Sequence, residues 1–162
     1  MILEEPRGPY HDFWLLREGE VPYAAYWDYL RRRDAPLRIA DDVLRYFYDS
    51  LEWFPALVQD RKRAPKPIQG LDLYGDTIVN HEGGALFAEV FAAWAQLFRL
   101  GPEEIILSAG WVYTRDEDGR RSDEETQKLL VRRDELVRDL ELLAEWGRAA
   151  ATGEFYILHL GI

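Results

Sequence analysis

The chain has 162 residues, with 20 Lys and Arg against 30 Asp and Glu, and therefore a formal net charge of −10. This acidic balance argues against nucleic acids and anionic lipids as partners, because both attract basic surfaces. The sequence contains no Cys, which excludes disulfides, thiolate zinc sites and cysteine nucleophiles.

Length and composition predict one globular domain over residues 1–162, since domains average roughly 150 residues. We divide it into an N-terminal helical part (1–60), a loop (61–70) and an α/β part (71–162). The chain starts without the basic and apolar regions of a secretory signal, and no apolar run approaches the roughly 18 residues that a membrane span needs. We therefore expect a cytoplasmic protein without a membrane partner.

Helical periodicity predicts two helices in the N-terminal part. The first begins near Pro22 and ends near Arg33, and the second begins near Asp41 and ends before Pro55. Residues 13–16, which precede both, fit a short strand or an anchoring loop. Each helix gathers its large apolar side chains within an arc of about 100°: Tyr23, Tyr26, Trp27 and Leu30 in the first, and Val43, Leu44, Phe47 and Leu51 in the second.

The second half of the sequence alternates strand-like and helix-like segments. Strands are predicted at 71–79, 104–114 and 154–160, and helices at 85–99 and 123–150. Ser122 and Glu125 have the spacing of a capping box for the last helix. This β-α-β-α-β order predicts an α/β (or α+β) fold with a partly parallel sheet of three to four strands, on which the two N-terminal helices pack. The almost wholly apolar run at 154–160 is typical of a central strand covered on both faces.

The helix at 85–99 is predicted to be buried and central. Its large apolar side chains cover an arc of about 140°, and small Ala side chains occupy the opposite side. The apolar arc consists of Leu86, Phe87, Val90, Phe91, Trp94, Leu97 and Phe98.

Polar residues near the ends of two predicted strands form the candidate ligand site. Asp76, His81 and Glu82 accompany the first strand, and His159 lies near the end of the last. If these strands are parallel, both histidines lie at one sheet edge, where open α/β sheets bind ligands. The alternative interpretation makes residues 80–82 a helix-capping loop and His159 a hydrogen-bonded core residue, and it is the one we favour; we predict no cofactor and no metal.

His11 and Asp12 form a second pair of a histidine and an acid, beside Phe13 and Trp14. We find no further residue in the sequence that would complete a site with them. This pair is interpreted as part of an exposed N-terminal loop.

The acidic charge and the 22 aromatic residues (6 Trp, 9 Tyr and 7 Phe) favour a non-catalytic protein-binding domain. Trp and Tyr anchor interfaces, and negative charge steers association with a basic partner. In gross character the chain is similar to immunity proteins, which inhibit bacterial toxins such as nucleases. The residues predicted to bind such a partner are Asp116, Glu117, Asp118, Asp123, Glu124, Glu125 and Trp146.

Two other functions stay open at this point. The first is a small metal-dependent or acid/base enzyme centred on His81, Glu82 and His159. The second is a homodimer or scaffold that associates through the helix stripe around Trp146. Phosphate-binding loops, GxSxG elbows and HExxH motifs do not occur in the sequence, and this absence disfavours the enzyme.

Overall fold

The computed structural model describes residues 2–3, 9–19, 35–59, 64–115 and 121–162, together with the side chains of all of these except 2–3, 109–115 and 121–127. The predicted helix at 22–33 lies outside these ranges. The described residues form a six-stranded sheet, a long β-hairpin and three α-helices.

The main sheet is antiparallel throughout. In chain order its strands are β2 (Tyr10–Arg17), β3 (Leu37–Ala40), β4 (Pro55–Val58), β5 (Lys66–Gln69), β6 (Asp76–Val79) and β9 (Phe155–Leu160). Their spatial order is β3-β2-β9-β6-β4-β5. The last strand of the chain is therefore central, as predicted, with β2 on one side and β6 on the other.

A hairpin of two 12-residue strands forms the second sheet: β7 (Glu104–Arg115) pairs antiparallel with β8 (Arg121–Arg132). The two-residue strand β1 (Ile2–Leu3) lies parallel to β8 on the other side. The register shifts between Ser108 and Trp111, where β7 contains one residue more than its partner. Such bulges bend a strand and increase its twist.

One helical stretch joins two strands of the main sheet, β3 and β4, and the other two helices connect the main sheet to the hairpin. α1 (Asp41–Leu44) continues into a 3-10 segment (Arg45–Glu52), while α2 (His81–Arg99) follows β6 and α3 (Arg133–Ala151) precedes β9. The 41–52 stretch thus begins where the second N-terminal helix is predicted, but most of it has 3-10 geometry. Within the described ranges, no helix is long and apolar enough to cross a membrane.

The predicted partly parallel sheet of three to four strands under two N-terminal helices is wrong: the main sheet has six strands, and the part predicted to be helical, 1–60, supplies three of them, β2, β3 and β4. β6 and β9 run antiparallel, with Thr77 paired with His159 and Val79 paired with Ile157. The prediction missed one strand, β8, which the chain forms between β7 and the last helix. This strand reverses the direction of the chain once more before β9. One more reversal of direction turns a parallel pair into an antiparallel pair.

The predicted start of the last helix is wrong for the same reason. The residues of the supposed capping box, Ser122 and Glu125, lie in β8, where they pair with Thr114 and Val112. α3 begins only at Arg133. Polar residues with good helix propensity extend here as a strand because the backbone of β7 lies alongside to pair with them.

Both faces of the main sheet are buried. Phe13, Val79 and Ile157 belong to the core that the sheet forms with the helices. The side chains of Trp14, Ile78 and Tyr156 point to the opposite face, where they form a second buried cluster with Leu158 and Leu160. This arrangement confirms that the final strand is covered on both sides.

α2 and α3 approach each other most closely at two glycines. A Cβ added to Gly84 would lie 2.7 Å from the carbonyl oxygen of Gly147, and one added to Gly147 would lie 2.8 Å from the amide nitrogen of Ala88. These contacts join the beginning of α2 to the end of α3, so the two helices are antiparallel. The contacts involve backbone atoms, which cannot rotate away.

We expect Gly147→Ala to destabilise the protein by about 1–3 kcal/mol, because the added methyl group forces two helices apart. Ala exceeds Gly in helix propensity by about 1 kcal/mol, so relief of the contact by small movements would give the opposite sign. Urea unfolding of Gly147→Ala and Gly147→Val measures the effect, which should grow with side-chain size. Stabilisation by Gly147→Ala would contradict the close helix crossing.

Candidate functional site

A chain of buried polar side chains crosses the middle of the main sheet. His11 in β2 and His159 in β9 are both fully buried, at 0% exposure. The His11 Nδ1 and His159 Nε2 atoms lie 2.8 Å apart. Their ring planes lie within 10° of each other and their centroids are 5.1 Å apart, so the two rings meet edge to edge in nearly one plane, as a hydrogen bond between ring nitrogens requires. Two histidines in hydrogen-bond contact within a core form the most distinctive cluster of titratable groups in the described structure.

One end of this chain is an ionised carboxylate at the beginning of α1. Asp41 is 4% exposed, and its Oδ1 atom lies 3.1 Å from His11 Nε2. The hydroxyl of Tyr48 donates to the same oxygen at 2.6 Å. The Arg45 guanidinium pairs with the other oxygen, with Nε 2.9 Å from Oδ2. The buried negative charge is therefore compensated by a cation and by two further donors.

The other end of the chain is Thr77 in β6. Its Oγ1 atom lies 3.4 Å from His159 Nδ1 and accepts the backbone N–H of Asp72 at 2.8 Å. Because Thr77 pairs with His159 across the two strands, their side chains lie on the same face of the sheet.

The partners determine the tautomer of each ring. His11 Nε2 carries the proton, because it faces a carboxylate that only accepts. His11 Nδ1 therefore accepts from His159 Nε2–H. His159 Nδ1 is left to accept from the Thr77 hydroxyl. All donors thus point toward Asp41, and both neutral histidines are satisfied.

Burial determines the pKa values of this network. Burial lowers the pKa of His159 well below its ordinary value, and the adjacent His11 lowers it further. Burial also lowers the pKa of His11, although the hydrogen bond and negative charge of Asp41 oppose it. Both histidines are therefore neutral at pH 7.

The carboxylate and the phenol respond in opposite directions. Burial by itself raises the pKa of Asp41, but the hydrogen bonds from Tyr48 and His11 and the charge of Arg45 outweigh it, so this pKa lies below its ordinary value. Burial, together with the hydrogen bond to Asp41, raises the pKa of Tyr48 to about 12. Asp41 is ionised and Tyr48 is a neutral donor.

The network joins three strands and α1. A cavity of about 400 Å³ lies between β3, the end of β8 and the beginning of α3. Arg38, Arg132, Glu135 and Asp139 contribute the charged part of its lining, and none of the network's side chains lines it. An aspartate that orients a histidine is familiar from catalytic triads, but here the second histidine stands in the nucleophile's position. These hydrogen bonds join neutral, oriented side chains and can contribute to the stability of the fold.

The structure does not bring the candidate ligand-site residues together. His159 is buried in the network, whereas His81 and Glu82 are exposed at the beginning of α2. Asp76 accepts the backbone N–H of Gln59 at 3.1 Å. The Asn80 side chain accepts the backbone N–H of Glu82 at 3.1 Å, which makes Asn80 the cap of α2. The interpretation of residues 80–82 as a capping loop is confirmed.

The predicted partner-binding residues fall in three places. Asp123, Glu124 and Glu125 lie in β8, near the end of the hairpin. Asp116, Glu117 and Asp118 lie outside the described residues. Trp146 is 9% exposed and belongs to the core, so it offers no exposed stripe on α3.

The sequence interpretation of His11 is wrong, because it placed the residue in an exposed loop. A signal was present: in β2 His11 alternates with Phe13, and period-two alternation places both on one face of a strand. Asp41, which is 30 residues away in the sequence, carries no such signal. Among the described side chains, no group of three or more His, Cys, Asp or Glu residues is arranged to hold a metal ion.

Comparison with known proteins returned no match: no family model, no curated protein and no solved structure is similar to this chain. The fold and the residues themselves are therefore the basis for any statement about function.

Proposed function

We propose that this chain is a non-catalytic binding domain that recognises a basic protein in the cytoplasm through the β7–β8 hairpin. The observation that carries the proposal is the hairpin itself. Two 12-residue strands pair with each other, and β8 contains three consecutive acidic residues, Asp123, Glu124 and Glu125. A bacterial toxin or nuclease belongs to the class of partner that this charge fits, since such proteins carry basic surfaces to bind phosphates.

The hairpin is suited to recognition because its base is anchored in the main core. Leu107 and Leu129, at the base, are 3% and 0% exposed and join the main core. The acidic residues lie further along the hairpin, with Glu125 paired with Val112. An isolated two-stranded hairpin is marginally stable in water. The base therefore anchors the hairpin, and the acidic segment lies between this base and the far end of the two strands.

The buried network supports a binding function over an enzymatic one. His159, which the enzyme hypothesis needs beside His81, is occupied by His11 and Thr77. His81 lies four residues along the chain from Thr77, the residue that pairs with His159, and is exposed. The two histidines do not share a site.

Neutralising Asp123, Glu124 and Glu125 to Asn, Gln and Gln should slow association with a basic partner. At low ionic strength we expect a rate roughly tenfold below wild type, converging with wild type at high salt, where screening removes electrostatic steering. Stopped-flow association with a panel of basic nucleases measures the rates. Fold stability should change little, because the substitutions keep the size of each side chain and leave the backbone pairing of β8 with β7 intact.

The matched control changes the same amount of charge elsewhere. Glu52, Glu145 and Glu154 are exposed and lie away from the hairpin. Converting all three to Gln should slow association much less than the hairpin variant does. Equal slowing by both variants would mean that net charge alone acts, and unchanged rates in the hairpin variant would overturn the proposal.

A further inference from the structure

α2 leaves a row of apolar side chains uncovered. Leu86, Leu97 and the C-cap residue Leu100 are 43%, 55% and 85% exposed, and exposed Ala93 lies between them. At 100° per residue these four positions fall within an arc of about 60°. They therefore form one straight row along the helix, which we call the α2 stripe.

The sequence predicts that α2 is buried, and the exposed stripe differs from that prediction. Phe87, Phe91 and Phe98, from the same predicted arc, are buried, whereas Leu86 and Leu97 are not. Leucines that remain exposed on an otherwise well-packed helix are typical of an interaction surface.

The 3-10 segment extends the apolar surface on one side of α2. It is fixed to the helix by a hydrogen bond of 2.8 Å from Trp94 Nε1 to Ser50 Oγ. Tyr46 of this segment and Trp53, which follows it, are 36% and 61% exposed. Asp49 and Glu52 of the same stretch are exposed as well. Exposed Tyr and Trp side chains are enriched in protein interfaces.

We propose that two copies of this chain associate through the α2 stripe, with their α2 helices antiparallel and Ala93 at the two-fold axis. Leu86 and Leu100 each lie seven residues from Ala93. A two-fold axis at Ala93 therefore places Leu86 of one copy against Leu100 of the other. At the axis Ala93 meets its own copy, where its small side chain allows the helices to approach closely.

The charges beside the stripe select this occupant and this orientation. Beside the stripe, Glu82 and Glu89 are exposed in the first half of α2 and the uncharged Gln96 is exposed in the second half, while the exposed Arg99 pairs with Glu141 of α3. Antiparallel helices set each acidic half against a half of α2 without acidic residues, whereas parallel helices would set each glutamate against its own copy. Antiparallel macrodipoles also attract each other. The stripe is distinct from the acidic hairpin, so the proposed dimer and the proposed binding of a basic partner can be tested and rejected independently.

Cross-linking tests the orientation directly, because the natural chain contains no Cys. Ala93→Cys should form a disulfide-linked dimer on mild oxidation. Leu86→Cys alone should not, since its two copies would lie 14 residues, or about 21 Å, apart along the helices. A mixture of Leu86→Cys and Leu100→Cys chains should form the mixed disulfide.

Each alternative result overturns the proposal. Self-linking by Leu86→Cys would show parallel helices. If the Ala93→Cys chain is monomeric and its thiol reacts with a thiol reagent, the stripe is exposed to solvent. If the chain is monomeric and its thiol does not react, another segment of the same chain covers the stripe.

Sedimentation of the full chain over a range of concentrations supplies a second test. Wild type should approach the dimer mass, and Leu97→Glu should weaken association by roughly a hundredfold or more, because the lost leucine contact occurs twice per dimer. The control is Tyr74→Glu, which changes a 74% exposed side chain outside α2 and should leave association unchanged. Thermal unfolding shows whether Leu97→Glu is folded. A wild-type chain that stays monomeric would overturn the proposal.

Discussion

Deletion of residues 154–162 is expected to abolish cooperative folding. These residues include β9, the strand between β2 and β6, so their loss divides the main sheet in two. The deletion removes four apolar side chains that are at most 4% exposed: Tyr156, Ile157, Leu158 and Leu160. At about 1.5–3 kcal/mol each, they contribute as much as the whole stability of a typical domain, about 5–15 kcal/mol. Circular dichroism during heating measures the result.

The control for this deletion removes only residues 161–162. It eliminates two backbone hydrogen bonds, from Gly161 N–H to Gly75 O and from Ile162 N–H to Leu73 O, and leaves β9 intact. This shorter deletion should lower stability modestly and preserve the cooperative transition. A cooperative melt near the full-length value after removal of residues 154–162 would show that β9 is not required.

Acidification below about pH 6.5 is expected to destabilise the protein steeply. The pKa values of His11 and His159 are lowered in the folded state, so the unfolded chain takes up two protons that the folded chain does not. Their contribution to stability is complete above the unfolded pKa and falls as the pH drops through it. The maximum slope for two protons is about 2.7 kcal/mol per pH unit.

Asp41 adds a second loss at lower pH. Its pKa is lowered in the folded state, so its contribution is complete above the unfolded pKa, about 3.9, and is lost as the pH falls below that value. The first loss is therefore assigned to the histidines and the second to the carboxylate. Urea unfolding at a series of pH values separates the two.

The third histidine of the chain provides the matched control. His81 is exposed at the beginning of α2, and His81→Gln should leave the acid slope unchanged. His11→Gln combined with His159→Gln removes both buried titrating groups and should flatten the slope between about pH 6.5 and 5. A shallow wild-type slope, or one that disappears in His81→Gln, would contradict the assignment to the buried pair.

Local signals in the sequence were sufficient for several elements. The run Phe155–Leu160 reads as a central strand because its side chains are apolar at nearly every position, which only a strand covered on both faces tolerates. The helix over 85–99 and the strand over 104–114 were also predicted, since periodicity and the Gly101-Pro102 stop are properties of neighbouring residues. Residues 13–16 fitted a strand, although its full length was not predicted.

Long-range pairing decided the rest of the fold. Ser122 and Glu125 have helix-capping spacing, yet they form a strand because β7 supplies the hydrogen-bond partners. That one strand reversed the direction of β9 relative to β6 and changed a parallel sheet into an antiparallel one. A neighbour on another strand leaves no trace in the local periodicity on which the prediction depended.

The sequence by itself determined the charge of this protein, its lack of cysteine chemistry, the central apolar strand and the capping role of residues 80–82. Only the tertiary structure decided which polar residues meet. Asp41 and His11, 30 residues apart, and His159, a further 118 residues along, come together because β2, β9 and α1 are neighbours in space. The same packing buried Trp146 and left Leu86, Leu97 and Leu100 exposed, although all four are apolar residues on helices. Apolar periodicity shows which side of a helix is suited to burial, but the positions of the other elements decide whether that side is buried.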